Sequence, residues 1–518
     1  MESASGIEVY RCGDPVEVFY KMPFPEDHGR ERVDILGDRW IQCATASLGS
    51  TRPRIGWTQR WLPAVVMEVL DGGEAVRVQW ELRQWYDWAT GEHIEISRDP
   101  HALEQEVDVH KVRKRTAAWR IPENRAWTST LYPTRSEMAV GGCEVTVSFI
   151  VFQWGAAKIP LSYDAHSWGS LEGSTVSNRF IRLFFRDAVI PKFGYDYEVL
   201  TVFIQHSDEF AGISPEFLGS VCRGRRVCAL YFLWPIQGAQ SYGEKAPTAA
   251  AYVDAEKLYQ LVSRMEACSI STLWPHPLQL WRLLTSKEWM TSLCMAPQFQ
   301  IPLTTRCGKC LVLSDPLKAA TWALQALKML KEDRKQPSRD GIVAKLGYSY
   351  EGVDVKMVSG EEKLAEAMYF LLTQPNYYNE FVYVQEQVNV HLEARCFVVH
   401  GKVADVLFTR FGRIDCHGYV RDYEKAASAR EAREEWFFKD EVAWQDAMEQ
   451  VHRISYCWHL WLLAQSAEPT ISVRIDYLLE RESPGKAKVW TGEVGEQGYS
   501  MGGIDPLVVF RAVLDGIV

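Results

Sequence analysis

Phe381-Val-Tyr-Val-Gln-Glu-Gln-Val388 and Leu392-Glu-Ala-Arg-Cys-Phe-Val-Val399 are two strand-like runs near the C-terminal end of this chain. Two later runs share their pattern, Val473-Arg-Ile-Asp-Tyr477 and Thr491-Gly-Glu-Val-Gly-Glu496. In each run, apolar residues alternate with isolated carboxylates or arginines. A strand shows this alternation when one face is buried and the other is presented to a ligand. The sequence therefore predicts strands with one buried face and one charged, functional face.

Two acidic residues in the later runs, Asp476 and Glu493, are suitable for a Mg²⁺–nucleotide site, because Mg²⁺ prefers a few carboxylates together with phosphate oxygens. Upstream, Lys345 closes the strand-like run Gly341-Ile-Val-Ala-Lys345 and precedes the glycine-bearing segment Leu346-Gly-Tyr-Ser-Tyr-Glu-Gly352. A lysine ahead of such a turn is a phosphate-binding arrangement. Together these residues predict an ATP-using enzyme.

The length and composition limit the class of protein. A chain of 518 residues predicts roughly three domains, because one hydrophobic core stops growing below that length. A net charge of −10 makes nucleic acid an unlikely partner. The first residues lack the basic and apolar segments of a signal peptide, and no run of about 18 apolar residues predicts a membrane span. Twelve dispersed cysteines favour a reducing compartment, so we expect a cytoplasmic protein, with the nucleus as an alternative.

Residues 1–120 contain short strand-like runs separated by turns. The turn Asp71-Gly-Gly73, between Trp61–Val69 and Ala75–Trp80, is a strong hairpin signal. This order resembles Agenet/Tudor-type SH3-like barrels, which implies a small β-barrel and a possible protein partner. Aromatic residues near the hairpin are candidates for a cage around a methylated cation, although such side chains more often fill the core of a small barrel. The candidates are Trp80, Trp85, Tyr86 and Trp88.

Residues 121–285 predict a β-rich linker region followed by a small α/β domain. Glu144–Phe152 and Phe180–Phe185 are strand-like, and a strand–helix–strand pattern begins near residue 195. A helix with Asp254 as its N-cap is predicted to end at Ala267. Further helices are predicted over Leu317–Arg334, after the capping box Ser359-Gly-Glu-Glu362 and over Trp444–Ala464, and a hairpin turn at His400-Gly401.

The order of the motifs over residues 250–518 resembles the ATP-grasp superfamily. Glu393-Ala-Arg-Cys-Phe-Val-Val-His-Gly401 is similar to a strand of the glutamate-adding ATP-grasp ligases. Val473-Arg-Ile-Asp476 is similar to a strand of the D-alanine–D-alanine ligases, and Thr285-Ser-Lys-Glu-Trp289 to the segment that leads into their ATP-binding region. The resemblance implies an α+β fold in which two subdomains over 286–518 clasp ATP, preceded by the small α/β domain and the N-terminal SH3-like barrel.

The resemblance also implies roles for individual residues, with ATP and Mg²⁺ as the ligands. Lysines would neutralise the nucleotide phosphates, glycines would let a loop cover them, and two glutamates would contact adenine and ribose. In chain order, these nucleotide-binding residues are Lys287, Lys345, Gly347, Gly352, Glu386 and Glu393. Arg395 and Arg474 would hold the transferred phosphoryl group and the acyl phosphate. The metal ligands would be Asp476, Glu493 and Glu496.

One departure from the family concerns the metal ligands. The family usually ends this strand with Glu-x-Asn, whereas position 495 here is glycine and Glu496 follows. On a regular strand Glu496 would point away from the site, unless the chain turns or bulges at Gly495, which a glycine makes easy. Either Glu496 supplies the missing ligand or the second metal site is weakened. Catalytic competence depends on this point, whereas nucleotide binding does not.

The preferred interpretation is an ATP-dependent carboxylate–amine ligase for small-molecule or peptide substrates. A carboxylate attacks the γ-phosphorus to give an acyl phosphate and ADP, and an amine then displaces phosphate. Two alternatives stay open: a nucleotide-binding scaffold whose N-terminal barrel recruits a protein, and an ATP-grasp kinase that phosphorylates a hydroxyl. Taken singly, Asp476 and Glu493 are also compatible with solvent-facing strand residues, and Lys287 with a solvated lysine at the start of a helix.

Overall fold

The computed structural model forms two compact units. The first comprises Met1–Ala165, Ser170–Leu233 and Gln260–Thr272, and the second comprises His166–Gly169, Trp234–Tyr259 and Leu273–Val518. The residues that the structure describes are 10–21, 54–80, 84–87, 92–95, 104–114, 146–154, 181, 183–204, 207–233, 254–334, 341–348, 354–373, 379–412, 423–426, 428–466, 472–495 and 505–517.

The first unit is built on one open sheet with nine strands among the described residues. In chain order the strands of this half are β1 Pro15–Lys21, β2 Arg54–Leu70, β3 Ala75–Trp80, β4 Gln84–Asp87, β5 Glu92–Glu95, β6 Glu104–Asp108, β7 Val112–Lys114, β8 Val147–Trp154, β9 Tyr197–Ile204, β10 Arg226–Phe232 and β11 Ser271–Trp274. The strand order is β11-β10-β8-β9-β2-β1-β7, while β3 pairs with β2 and β6, and β4 and β5 form a separate hairpin.

The strands of residues 1–120 do not close into the predicted SH3-like barrel among the described residues. The reason is the length of β2, which spans 17 residues and serves two partners on one side. Residues 54–59 of β2 pair with β9, and residues 64–70 pair with β3. The sheet therefore continues into the next part of the chain and stays open. The predicted hairpin at Asp71–Gly73 is confirmed, since this turn joins β2 to β3.

Parallel strands and short helices make up the rest of the first unit. β8 pairs in parallel with both β9 and β10. The helices are a π-helical turn Phe184–Val189 that runs into α1 Ile190–Phe193, a 3-10 turn Ser207–Gly212, and α2 Pro215–Val221. The next helix, α3 Ala255–Ala267, has the predicted N-cap, because Asp254 accepts a hydrogen bond from the Lys257 amide at 3.1 Å.

The prediction of a strand over Phe180–Phe185 is wrong for the described part of that run. Phe184 and Phe185 are helical, and both are buried against Phe149 of β8, with ring centroids 6.0 and 5.3 Å away. A short apolar run is compatible with either a strand or a helix when it is taken alone. Here the adjacent pair Ala188 and Val189 is buried as well, which gives the one-sided spacing of a helix.

A network of buried charges connects early and late strands of the first unit. Glu17 on β1 is 2% exposed, and Glu198 on β9 is 0% exposed. Arg113 of β7 donates from Nε and Nη2 to Glu17 Oε2 at 3.0 and 2.8 Å. Arg223 donates from Nε to Glu198 Oε2 at 3.2 Å, and Ser148 of β8 donates to Glu198 Oε1 at 2.6 Å. Pairing of this kind is what allows charged groups to be buried at all.

The second unit begins with helices that lead into a four-stranded antiparallel sheet. The helices are α4 Leu278–Ser286, α5 Trp289–Leu293 and a 3-10 turn Pro297–Phe299, followed by α6 Lys309–Ser314, α7 Pro316–Arg334 and α8 Glu361–Thr373. The strands are β12 Thr304–Gly308, β13 Ile342–Leu346, β14 Val355–Val358 and β15 Phe381–Glu386, in the order β12-β15-β13-β14. Apolar residues of α7 and α8 pack on this sheet, as their predicted helical stripes require.

A five-stranded antiparallel sheet completes the second unit. Its strands are β16 Leu392–Val399, β17 Lys402–Phe411, β18 Tyr423–Lys425, β19 Ser472–Ser483 and β20 Lys486–Gly495, in the order β18-β17-β16-β19-β20. The remaining helices are α9 Ala429–Glu431 with a π-helical turn Ala432–Trp436, α10 Glu441–Gln465 and α11 Pro506–Asp515. The predicted turn at His400-Gly401 joins β16 to β17, with φ angles of 49° and 74°. No helix within the described ranges has the length and apolar character needed to cross a bilayer.

We expect Glu198→Gln to lower the free energy of unfolding by about 3 kcal/mol, because it removes the buried carboxylate that pairs with Arg223. The matched control is Glu68→Gln, whose pair with Arg77 is exposed and should contribute little. Urea unfolding of both variants and the parent measures the two losses. Equal losses would show that the buried network has no special weight in the first unit.

Candidate functional site

One face of the five-stranded sheet carries charged side chains on three adjacent strands. Arg395 of β16 lies opposite Asp476 of β19, and Asp476 lies opposite Glu493 of β20. The residues next to them in sequence, such as Cys396 and Ile475, point to the other face and are buried in the core with α10. The alternation that the sequence predicts is therefore present, and the strand pairing brings three of the predicted site residues into one row across the sheet.

Arg474 and Asp476, two residues apart on β19, form a buried ion pair. Arg474 donates from Nε to Oδ1 at 2.8 Å and from Nη2 to Oδ2 at 2.5 Å. The residues are 5% and 4% exposed. Burial raises the pKa of Asp476 above its ordinary value, although the charge of Arg474 opposes this rise. A two-bond pair of this type fixes the guanidinium plane, so Arg474 is held in place on the polar face.

Glu393 at the start of β16 is held by two donors. Arg395 donates from Nε to Glu393 Oε2 at 2.7 Å, and Thr409 of β17 donates its hydroxyl to the same oxygen at 2.6 Å. Sequence reasoning predicted Glu393 and Arg395 but missed Thr409. The available signal was the strand alternation of β17, because Thr409 pairs directly with Glu393 across the two strands.

A β-bulge at Gly492 sets the register of this face. Asp476 pairs with Glu493 and the next residue, Tyr477, pairs with Thr491, so Gly492 is the extra residue on β20. A Cβ at this position would lie 2.9 Å from Cγ of Leu478, which explains why glycine is needed here. The bulge therefore places Glu493 opposite Asp476.

The end of β20 concerns the predicted turn at Gly495. Gly495 is paired with Arg474 and is the last residue of β20, and the bulge within the strand lies at Gly492. Glu496 lies outside the described residues, and its predicted approach to the metal site stays a prediction.

Two buried lysines point to the β20 segment that contains the bulge. Lys345 of β13 donates from Nζ to the carbonyl oxygen of Gly492 at 3.3 Å. Lys287, between α4 and α5, has its Nζ 2.6 Å from Glu493 Oε1. The residues Lys345 and Lys287 are 7% and 4% exposed. The structure thus brings together both predicted phosphate-binding lysines and one predicted metal ligand.

The proximity of Lys287, Lys345 and Glu493 shifts the pKa values of Lys345 and Glu493. Burial and then the charge of Lys287 lower the pKa of Lys345 to about 7, against the attraction of Glu493. Burial by itself would raise the pKa of Glu493, but the charge and hydrogen bond of Lys287, together with the charges of Arg474 and Lys345, hold that pKa below its ordinary value. Both lysines are therefore poorly hydrated, and an additional anion beside Lys345 would favour its charged form.

The remaining predicted nucleotide residues have different surroundings. Glu386, at the end of β15, is 2% exposed, and its Oε1 accepts a hydrogen bond from the Leu303 amide at 3.0 Å. Gly347 follows β13, and a Cβ on it would lie 2.4 Å from the Ser286 carbonyl oxygen. Gly352 lies outside the described residues.

The predicted aromatic cage is also outside them. Trp88 is not described, and the side chains of Trp80, Trp85 and Tyr86 are not described either.

The carboxylates of this face suit a metal that is shared with a phosphate. Within the described part of the chain, no three His, Cys, Asp or Glu side chains converge on one point. Asp476 and Glu493 are nevertheless paired across adjacent strands, next to two lysines. Mg²⁺ commonly takes one or two protein carboxylates and completes its shell with phosphate oxygens and water. These two residues therefore fit Mg²⁺ bound together with a nucleotide.

Comparison with known proteins gives similarity at a low level. No protein-family model and no curated protein sequence matches the chain. Among solved structures, VanG D-Ala:D-Ser ligase from Enterococcus faecalis is 12% identical, with a TM-score of 0.41 over 72% of this chain and 100% of that chain. D-alanine–D-alanine ligase from Bacillus anthracis is 10% identical, with a TM-score of 0.40 over 72% and 96%. An ATP-grasp RimK domain protein from Sphaerobacter thermophilus is 12% identical, with a TM-score of 0.34 over 72% and 97%. Similarity at this level assigns neither a family nor an activity to the chain.

We expect the Lys345→Met variant to lose a pH dependence that the parent protein has. The folded parent releases the Lys345 proton near pH 7, whereas the unfolded chain keeps it up to the ordinary pKa of 10.5. Between these values the unfolded state binds more protons, so this group makes the parent more stable as the pH rises. The free energy of unfolding of the parent minus that of Lys345→Met should therefore increase from pH 7 to pH 10.

Urea unfolding at several pH values measures this difference, and Lys363→Met on the exposed side of α8 is the control. Parallel stability curves for the parent and Lys345→Met would contradict a lowered pKa for Lys345.

Proposed function

We propose that this chain is an ATP-dependent ligase of the ATP-grasp type that joins a carboxylate to an amine through an acyl phosphate, with Mg²⁺-ATP as the phosphoryl donor. One observation supports this proposal most strongly. Two buried lysines from outside the five-stranded sheet meet Gly492 and Glu493, beside the row formed by Arg395, Asp476 and Glu493. Both lysines, Arg395, Asp476 and Glu493 are residues to which the sequence resemblance gives a role in binding phosphate or metal.

The charges of the site suit phosphoryl transfer. A carboxylate is a poor acyl donor, and phosphorylation supplies a leaving group. The work of the protein is then positioning and charge neutralisation rather than acid–base chemistry. In this proposal, Lys287 and Lys345 bind the nucleotide phosphates. Arg474 and Arg395, which are oriented by Asp476 and Glu393, hold the transferred phosphoryl group and the acyl phosphate.

The proposed metal ligands are Asp476 and Glu493, with Glu496 as a further candidate. Bound Mg²⁺ would neutralise phosphate charge and orient the γ-phosphoryl group. In the protein itself, Arg474 and Lys287 already balance the charges of these carboxylates at 2.5 and 2.6 Å. These contacts therefore hold both carboxylates in place before any ligand arrives.

The proposed nucleoside contacts are Glu386 for adenine and Glu393 for ribose, and Gly347 and Gly352 are proposed to let the loop after β13 cover the phosphates. Both glutamates are buried at strand ends of the second unit, Glu386 at the end of β15 and Glu393 at the start of β16. The proposed substrates are a small-molecule or peptide carboxylate and an amine, in an intracellular setting.

A second candidate function is nucleotide binding without turnover, in which a protein partner reads the bound state. The observation that favours it is Gly495, which pairs with Arg474 on the polar face where the ATP-grasp resemblance leads one to expect asparagine. Glycine offers no metal ligand there. The charged row and both lysines would still bind a nucleotide.

The reaction itself is tested by incubating the protein with Mg²⁺-ATP, hydroxylamine and single amino acids or dipeptides as carboxylates. Hydroxylamine traps an acyl phosphate as a stable hydroxamate, so the proposal expects ADP and hydroxamate to appear together and only with certain carboxylates. ATP binding without ADP formation across the panel would favour the second candidate. A stable phosphorylated hydroxyl product would indicate a kinase, and absence of nucleotide binding would refute the proposal.

We expect Asp476→Asn to reduce Mg²⁺-dependent ADP formation by about 100-fold, because it removes one metal ligand without changing the size of the side chain. The control is Glu482→Gln, an exposed residue further along β19. Circular dichroism establishes that both variants are folded, and ADP release is measured across a magnesium titration. Parent-like turnover of folded Asp476→Asn would remove this residue from the metal site.

A further inference from the structure

The lysine turn, defined here as Thr285–Lys287 at the C-terminal end of α4, holds Lys287 in an unusual backbone conformation. Lys287 has a φ of 59°, in the left-handed region that residues with a side chain seldom occupy. Such a conformation persists only where the surroundings fix it from several sides. The contacts of the turn therefore indicate what orients the Lys287 side chain.

Both carbonyl groups that precede Lys287 are hydrogen-bonded to one region of the four-stranded sheet. The Thr285 carbonyl accepts the amide of Tyr348 at 2.6 Å, and the Ser286 carbonyl accepts the hydroxyl of Tyr383 at 2.8 Å. The Thr285 hydroxyl also lies 2.5 Å from the Tyr259 hydroxyl. Burial raises the pKa of Tyr383, so its hydroxyl stays protonated and able to donate.

Gly347 permits this close contact. A Cβ on Gly347 would lie 2.4 Å from the Ser286 carbonyl oxygen, a distance that no side-chain carbon tolerates. The glycine is thus required by the approach of the lysine turn, which is a different reason from the phosphate covering that the family resemblance implies. Lys345 lies only two residues before Gly347, on the same strand and its extension.

We propose that the lysine turn, docked on Gly347, Tyr348 and Tyr383, fixes Lys287 and Lys345 as one rigid cation pair that binds phosphate groups, and that Tyr383 is a positioning residue for this pair. The inference rests on the proposed function, since the ligand of the pair is a nucleoside triphosphate. Tyr383 acts through the Ser286 carbonyl, one residue from Lys287.

The contacts of the two lysines with β20 show how the Tyr383 hydrogen bond would affect phosphate binding. Lys345 reaches the Gly492 carbonyl at 3.3 Å, and Lys287 reaches the neighbouring Glu493 at 2.6 Å. Loss of the Tyr383 hydrogen bond would release the Ser286 carbonyl and let Lys287 relax from its left-handed conformation. The two ammonium groups would then no longer be held at adjacent residues of β20, and a phosphate chain would meet only one fixed cation.

A double-mutant cycle tests the positioning role. Calorimetry measures binding of the non-hydrolysable ATP analogue AMP-PNP with Mg²⁺ to the parent, Tyr383→Phe, Lys287→Ala and the double variant. We expect Tyr383→Phe to weaken binding about tenfold in the parent background and to have no further effect once Lys287 is replaced, because interacting residues are non-additive. The control is Tyr369→Phe, a tyrosine of α8 that is 46% exposed. Equal losses in both backgrounds, or no loss in the parent, would overturn the positioning role.

A second measurement needs no nucleotide. The Tyr348 amide donates a hydrogen bond to the Thr285 carbonyl. Its hydrogen exchange should be at least about tenfold faster in Tyr383→Phe and unchanged in Tyr369→Phe. Gly347→Ala, if it folds, should show the same acceleration. Unchanged exchange in Tyr383→Phe would overturn the docking itself. If exchange accelerates but the parent binds no AMP-PNP, the docking stands while the proposed function and the phosphate ligand of the pair are both refuted.

Discussion

Charges that are buried or half-buried on one face of the five-stranded sheet have to be paired, and the candidate site is arranged around this requirement. Arg474 and Asp476 satisfy each other along β19, and Arg395 satisfies Glu393 along β16. Glu493, on the third strand, finds its partner outside the sheet in Lys287. Because an unpaired buried charge is costly, each of these contacts also fixes the position of a side chain that can act on a ligand.

The bulge at Gly492 connects this face to the rest of the second unit. An extra residue in β20 interrupts the ladder, and Lys345 of the four-stranded sheet donates to its carbonyl group. The same bulge aligns Glu493 with Asp476. A single glycine thus sets both the spacing of the carboxylates and the contact of one lysine, which no side chain at this position would permit, because its Cβ would lie 2.9 Å from Leu478.

Two sequence-based expectations differ from the described structure because a long-range contact decided the outcome. The early strands predicted a closed barrel, but β2 is long enough to pair with β9 as well, and the sheet stays open. Phe184 and Phe185 were predicted in a strand but form a helical turn, because their rings pack on Phe149 from one side. For Gly347, the approach of the Ser286 carbonyl gives a reason for a glycine in addition to the proposed covering of the phosphates.

The sequence by itself determined the charged faces of β16, β19 and β20 and the four longest described helices, α3, α7, α8 and α10, because alternation and helical spacing are local properties of the chain. It also singled out Lys345, Arg474 and Asp476 as residues of one site. Only the tertiary structure decided how these residues meet. The pairing of Lys287 with Glu493, the hydrogen bond from Thr409 to Glu393 and the place of the bulge all join residues far apart in sequence. Strand register and the approach of one backbone to another set such contacts, and neither is written in any short stretch of residues.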